Sequence, residues 1–301
     1  MYKRPLYLLS LFALLLAACH GNQPTNSTTD STYIYSDDYG ARIVVPTYPR
    51  HIVSTSPAVT EIICDLGACD RLIGRTDYCV YPPEVVERVE SIGGISNLNI
   101  EKILSLKPDL VISGSMIPKG SVKSINSQGV PMVCVIEQPS FDSLFSNIRK
   151  IGKLIGIPQR ADSLCQVLHI RLDKVKRQLD TNIDESQRPK VYYCVGFGKG
   201  GNFTAGGNTF INDIVRMAGG RNIAEGIQGW SISMEAIFDA DPDYIIIRKE
   251  DKEAFEKTAP YTRLRAVKHK HVIPIESGMM DLQAPRNIDA VELLSHTLKK
   301  E

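Results

Sequence analysis

The chain has 301 residues, of which 43% are hydrophobic, 23% charged and 7% aromatic. These proportions describe a folded globular protein with core enough for two domains, and they exclude disorder, collagen and a polytopic membrane protein. The formal charge of +1 becomes −1 without Lys3 and Arg4, so no basic surplus exists to neutralise phosphates and nucleic acid is not an expected partner.

Lys3 and Arg4 precede an apolar run from Leu6 to Ala18. That run is shorter than the about 20 residues a spanning helix needs and has the length of a secretory signal. It closes in Leu16-Ala17-Ala18-Cys19, which resembles the lipobox of bacterial lipoproteins. The resemblance implies a signal peptide over 1–18 and an acylated Cys19 that anchors the chain in a membrane of the cell envelope, on its periplasmic face. Residues 19–32 are polar and nearly free of apolar side chains, so they are expected as a flexible tether. Roughly a dozen residues of this kind span about 20 Å. The remaining cysteines, Cys64, Cys69, Cys79, Cys134, Cys165 and Cys194, match no metal spacing and no disulfide framework, and are read as buried thiols.

Residues 33–156 form a first lobe in which short apolar runs alternate with helical stretches. Strands are predicted at His51–Ser56, Arg71–Thr76, Asp109–Ser113 and Met132–Glu137, all rich in Val and Ile. Helices are predicted at Ala58–Leu66, with Gly67 as its C′ residue, and at Ile100–Leu106, Lys119–Ser127 and Ser140–Ile155. Such alternation implies a mostly parallel sheet with helices on its faces. The stretch 157–181 breaks the pattern. Ala161, Leu164, Cys165, Leu168, Leu172, Val175 and Leu179 recur at three- and four-residue spacing, which predicts one amphipathic helix of about 22 residues, or roughly 33 Å. Residues 188–301 resume the alternation, with strands at Lys190–Val195, Tyr244–Arg248 and Val272–Ile275 and helices at Phe210–Ala218, Met234–Asp239 and Asn287–Leu298.

The lobes share an internal echo. Asn99 to Ile112 aligns without gaps to Ser233 to Ile246: a capping residue, a first-turn glutamate (Glu101, Glu235), a short helix, Pro-Asp and a buried strand. The expected fold is therefore α/β, two Rossmann-like lobes joined by a single long α-helix, with a largely preformed ligand cleft between them.

Four motifs carry a family resemblance: Arg50 through Glu61 (RHIVSTSPAVTE), Leu106 through Ile112 (LKPDLVI), Gly219 through Ile223 (GGRNI) and Ala284-Pro285-Arg286. They resemble the helix-linked periplasmic-binding proteins of ABC importers for cobalamin, haem and ferric siderophores, over nearly the whole chain after Arg50. The Tyr78-Cys79-Val80-Tyr81-Pro82-Pro83 loop is most similar to the cobalamin binders. The resemblance implies a corrinoid ligand held by Ala58, Tyr78, Phe203 and Trp230, the only tryptophan. It further implies that Glu101 and Glu235 dock on the two halves of an inner-membrane permease. Aromatic side chains on both faces of a cleft suit a flat macrocycle, each burying about 150–250 Å². The sequence departs from the cobalamin pattern at Ile95, Gly114, Gly278 and Leu282. Haem or a ferric siderophore is the alternative ligand, but Ile95 stands where similar haem binders carry an iron-ligating tyrosine. Met279 and Met280 could ligate iron, but neighbouring methionines on a loop suit packing better.

An enzyme is the rival from another class. Gly196-Phe197-Gly198-Lys199-Gly200-Gly201 satisfies G-x-G-x-x-G after a predicted strand, yet residues 202–208 are expected to continue as loop where a dinucleotide site needs a helix. Hydrolase and metalloprotease signatures are missing. His269 and His271 project to one side of a strand approach without a clear third ligand, and His51 and His169 are read as structural, so no metal and no catalytic residue is assigned.

Overall fold

The computed structural model describes residues 31–179 and 184–298. The expected signal peptide, Cys19 and most of the expected tether lie outside the described residues. The tether expectation runs one residue too far, because Thr32 opens a strand. Thr32–Ser36 pairs antiparallel with Arg42–Pro46. The pair alternates, so Tyr35 and Val45 are buried on the first lobe while Ile34 and Val44 face outward. Asp37 closes the turn, its Oδ1 accepting from the amides of Tyr39 and Ala41 at 3.0 and 2.8 Å.

The first lobe carries a five-stranded parallel sheet in the spatial order Glu90–Ser91, Leu72–Arg75, Ile52–Ser54, Leu110–Ser113, Met132–Cys134. The last three are buried throughout, as strands covered on both faces must be. The second lobe carries four parallel strands in the order Arg221–Asn222, Lys190–Cys194, Tyr244–Arg248, Val272–Ile275. In both sheets the first strand in sequence sits inside, with later strands added on either side. That arrangement creates a switch point where chain direction around the sheet reverses.

The linking helix spans Pro158–Gln178, with Pro158 at its first turn and Ala161, Cys165, Leu168, Leu172 and Val175 buried. It packs on the Phe141–Leu154 helix of the first lobe and on the Arg286–Thr297 helix of the second. Gly152 permits the first crossing, because a Cβ there would stand 2.4 Å from that of Ala161. Arg171 fastens the second crossing, donating to Asp289 at 2.5 Å and Glu292 at 2.6 Å. One hydrophobic core runs from the first lobe through the linking helix into the second, joining Ile148, Leu168 and Ile288. The lobes are therefore seated on shared apolar packing as well as on a single covalent link.

The internal echo is structural. Asn99 Oδ1 accepts from the Lys102 amide at 2.9 Å, and Ser233 Oγ accepts from the Ala236 amide at 3.0 Å, so both short helices are capped three residues in. Both end in a left-handed non-glycine residue, Lys107 at φ 51° and Asp241 at φ 43°, followed by a proline that cannot continue the helix. The next residue then stitches its strand to the lobe's first strand. Asp109 Oδ2 accepts from the Arg50 and His51 amides at 2.7 and 2.8 Å, and Asp243 Oδ2 accepts from the Lys190 amide at 2.7 Å.

Two expectations need correction. Cys64 and Cys69 are not free thiols but a disulfide across the turn that ends the Pro57–Asp65 helix. Gly67, at φ +74°, reverses the chain there and brings the two Cα atoms to 4.4 Å. The other four, Cys79, Cys134, Cys165 and Cys194, are buried and unpaired as disulfides. Residues 202–203 are not loop, since Asn202–Phe203 forms a two-residue ladder with Ser231–Ile232.

Candidate functional site

Strands Ile52–Ser54 and Leu110–Ser113 are neighbours whose following segments diverge, and ligands of open parallel sheets bind at such carboxyl ends. Thr55, Ser56 and Ala58 follow the first strand, and Gly114 and Ser115 follow the second. Together with Ile95 and Glu137 they line one wall of a cleft of about 360 Å³ between the lobes. Thr209, Phe210, Trp230, Met280 and Asp281 belong to the opposite wall.

The first wall is fixed from behind. Thr60 donates to Ser54 Oγ at 2.9 Å and lies 3.3 Å from the Cys79 sulfur. Cys79 is buried, so its neighbours Tyr78 and Val80 are turned outward and exposed. Arg286, from the second lobe, stacks on Tyr81 of the same loop with its guanidinium carbon 4.0 Å from the ring centroid. That arginine also forms a two-pronged ion pair with Glu61, at 2.8 and 2.6 Å, inside the protein: Glu61 is 1% exposed. Burial raises the Glu61 carboxyl above the ordinary carboxylate range, while Arg286 pulls it back down. Two more contacts close the junction. Gln283 donates to the carbonyls of Gln138 and Ser140 at 2.6 and 3.0 Å, and Phe141 meets Phe210 edge-on at 4.9 Å.

The second wall is a small ribbon. Phe203 pairs with Ser231, and the Thr204 amide donates to the Trp230 carbonyl at 3.0 Å. Phe203 and Trp230 are thus held on the same ribbon, both about half exposed, with Phe203 opposite Ser231 and Trp230 one residue further on. Glycine is required at position 207, where a Cβ would fall 1.9 Å from the Glu225 carbonyl oxygen. The preceding glycine-rich loop is tied down by Tyr261, whose hydroxyl accepts from the Gly198 amide at 2.8 Å and donates to Asn202 Oδ1 at 2.7 Å. A strand follows that loop and no helix opens on it, so it lacks the phosphate-binding geometry of a dinucleotide site.

Of the four expected ligand residues, Ala58 and Trp230 line the cleft itself. Tyr78 and Phe203 are exposed and are not among its lining residues. The Tyr78 ring edge lies over Gly94, 3.5 Å from where a Cβ would be and next to Ile95, while the Phe203 ring lies over Gly196, 3.3 Å from where a Cβ would be. Glu101 and Glu235 are exposed in the first turns of their capped helices, and neither makes an ion pair among the described residues. A crossover helix runs opposite to the strands it joins, so it begins at their carboxyl ends. Both glutamates therefore sit at the cleft end of their lobes, one on each. Sequence reasoning missed Thr55, Glu137 and Gln283. Only their position just beyond a strand or beside a family motif offered a signal.

The histidines hold structural contacts. His169 stacks on Phe145 at 3.7 Å, His271 stacks on Tyr244 at 4.8 Å, and His51 lies 3.6 Å from Asp109. Met280 is buried while lining the cleft. Among the described residues no group of three His, Cys, Asp or Glu side chains could hold a metal ion, and no helix is long and apolar enough to cross a membrane.

Residues 52–277 match the model of a family described as periplasmic binding protein. The chain is 30% identical to an uncharacterized ABC transporter substrate-binding lipoprotein, YvrC, of Bacillus subtilis, covering 96% of this chain and 95% of that protein. It is 28% identical to a cobalamin-binding protein of Halobacterium salinarum, covering 86% and 72% respectively. Among solved structures it is similar to the apo form of a periplasmic heme-binding protein, RhuT, of Roseiflexus sp. RS-1. There the TM-score is 0.71 at 27% identity, over 82% of this chain and 97% of that one. The chain belongs to the periplasmic binding protein family, and it is a solute-binding protein rather than an enzyme.

Proposed function

We propose that this protein is the substrate-binding lipoprotein of an ABC importer, anchored through Cys19, and that it captures cobalamin or a related corrinoid. The observation that carries this reading is the exposed aromatic rings on opposed lobes. Trp230 lines the cleft from the second lobe, which also exposes Phe203, and Tyr78 is exposed on the first lobe over Gly94, next to the lining residue Ile95. A flat, uncharged macrocycle gains most from rings on both of its faces. A cleft of about 360 Å³ would hold only part of so large a ligand, which suits aromatic residues that project into solvent.

Haem is the second reading, favoured by the likeness to a heme-binding structure and by the Met280 thioether in the lining. Against it, the lining contains neither histidine nor tyrosine, and Ile95 occupies the position that the resemblance assigned to an iron ligand. Titration of purified protein with cobalamin, cobinamide, haem and ferric siderophores, read by visible absorbance and calorimetry, separates the two. Corrinoid binding at least a hundredfold tighter than haem supports the proposal, and the reverse order overturns it. Glu101 and Glu235 then serve as equivalent docking points for the two halves of a permease.

A further inference from the structure

The cleft has a charge of one sign. Its charged lining residues are Glu137 and Asp281, and Lys, Arg and His are absent from the lining. The two acids are not equivalent. Asp281 accepts from the Tyr193 hydroxyl at 2.5 Å and has the Arg248 guanidinium 3.6 Å behind it, so its charge is largely matched within the second lobe. Glu137 has no cation among the described residues. Its Oε2 accepts from Ser115 Oγ at 3.0 Å, and the same hydroxyl accepts from the Glu137 amide at 2.8 Å, which holds the side chain in one pose. The other oxygen, Oε1, forms no hydrogen bond of ordinary geometry among the described residues. It lies beside Gly114, where a Cβ would stand 3.0 Å away, so the glycine leaves it facing the cleft. Burial pushes this carboxyl up, and hydrogen bonding from the Ser115 hydroxyl and the Ser115 backbone pulls it back down. A second polar group nearby is unsatisfied. The Thr55 hydroxyl, on a residue 1% exposed in the same wall, has no partner among the described residues.

The Thr55 hydroxyl is a buried polar group that costs free energy unless a ligand supplies its partner, whereas the half-buried Glu137 carboxylate presents its charge to the cleft. We infer that Glu137 is the specificity-determining residue of the cleft: its free oxygen accepts an N–H from a ligand amide and its charge excludes a ligand carboxylate at the same place. This rests on the corrinoid reading above and refines it. The peripheral side chains of a corrinoid are neutral carboxamides, which donate. Haem presents two propionates and many ferric siderophores are anionic, and each would meet Glu137 with no cation in the lining to compensate.

The test compares a corrinoid with each of its monocarboxylate isomers, in which one peripheral amide is hydrolysed, by calorimetry on the whole protein. The wild type is expected to reject at least one isomer by about tenfold or more relative to the parent (about 1.4 kcal/mol). Glu137→Gln keeps the side-chain shape and an acceptor for Ser115, and is expected to bring that ratio to within about threefold of unity. A wild type that takes every isomer as well as the parent overturns the inference without any variant. An unchanged ratio in Glu137→Gln overturns it while the corrinoid reading stands. A wild type that binds haem and no corrinoid overturns both, because two carboxylates are then accepted beside Glu137.

Discussion

Arg286 is where the two lobes, the ion pair and the Tyr81 loop meet, so its removal is the most informative single change. In Arg286→Ala the Glu61 carboxylate loses both of its hydrogen bonds, at 2.8 and 2.6 Å, and stays in a site 1% exposed. Breaking one side of a buried pair costs about 3–5 kcal/mol, because the remaining charge is left without compensation. Loss of the guanidinium from the Tyr81 face adds about 0.5–1 kcal/mol. For a chain of this size each kcal/mol lowers Tm by about 2–4 °C, so a fall on the order of 10 °C is expected at pH 7. The same reasoning fixes a pH dependence. Burial already raises the folded-state pKa of Glu61, and without Arg286 nothing nearby opposes that rise. A carboxyl whose folded pKa exceeds its unfolded value destabilises the fold when ionised, and the cost fades as pH falls through the folded pKa. The deficit of Arg286→Ala relative to wild type should therefore be largest at pH 7 and shrink toward pH 5. A double variant, Glu61→Leu with Arg286→Met, should recover most of the loss, since an apolar replacement of a buried pair is often neutral. Thermal and urea unfolding by circular dichroism measures all of this. A single variant within 1 kcal/mol of wild type at pH 7, or one equally destabilised at pH 5, would refute this role for the Glu61–Arg286 pair.

The remaining predictions concern the proposed ligand and its delivery. Trp230→Ala should weaken corrinoid binding by about 2 kcal/mol or more, roughly thirtyfold, with Tyr78→Ala and Phe203→Ala in the same direction. Calorimetry on the folded variants checks it, and unchanged affinity in all three removes the aromatic residues from the site. Cys19→Ala should abolish lipid labelling and move the protein to the soluble fraction, because a lipid chain is its one expected membrane anchor. Labelling that persists elsewhere contradicts this. Glu101→Arg combined with Glu235→Arg should leave ligand affinity within about twofold and sharply reduce transport, since rim charges govern encounter and orientation with a partner. Normal uptake by the double variant, or a parallel loss of ligand affinity, rules out the docking role.

Much of the architecture is local, and local patterns are legible in a sequence. The strands Tyr244–Arg248 and Val272–Ile275 and the helix Lys119–Ser127 appear at the boundaries their residues predict, because apolar runs and caps act within a few residues. The linking helix lies within the expected 157–181 and ends no more than three residues from either limit, since its buried stripe sets both length and face. The echo between Asn99–Ile112 and Ser233–Ile246 was visible as sequence, and its capping bonds and left-handed helix ends follow from the same short-range chemistry. Short pieces such as the Pro83–Arg88 and Lys252–Lys257 helices escaped, because six residues carry too little periodicity to stand out.

What the sequence could not determine is which distant groups meet. Glu61 and Arg286 lie 225 residues apart, and both stood in recognisable motifs, yet nothing in either motif says that they pair. Glu137 reads as one more charged residue at a strand end until the sheet order sets it beside Gly114 and Ser115, with one oxygen facing the cleft. Cys64 and Cys69 became a disulfide only once the helix-ending turn at Gly67 brought them together. Tyr78 and Phe203 were expected as ligand contacts, but neither is among the residues that line the cleft. The physical reason is common to all four. Secondary structure depends on propensities summed over neighbours, whereas an ion pair, a disulfide or a cleft wall depends on packing that brings remote backbone into register. Its free energy is decided only after burial has fixed which charges, donors and thiols are left to face one another.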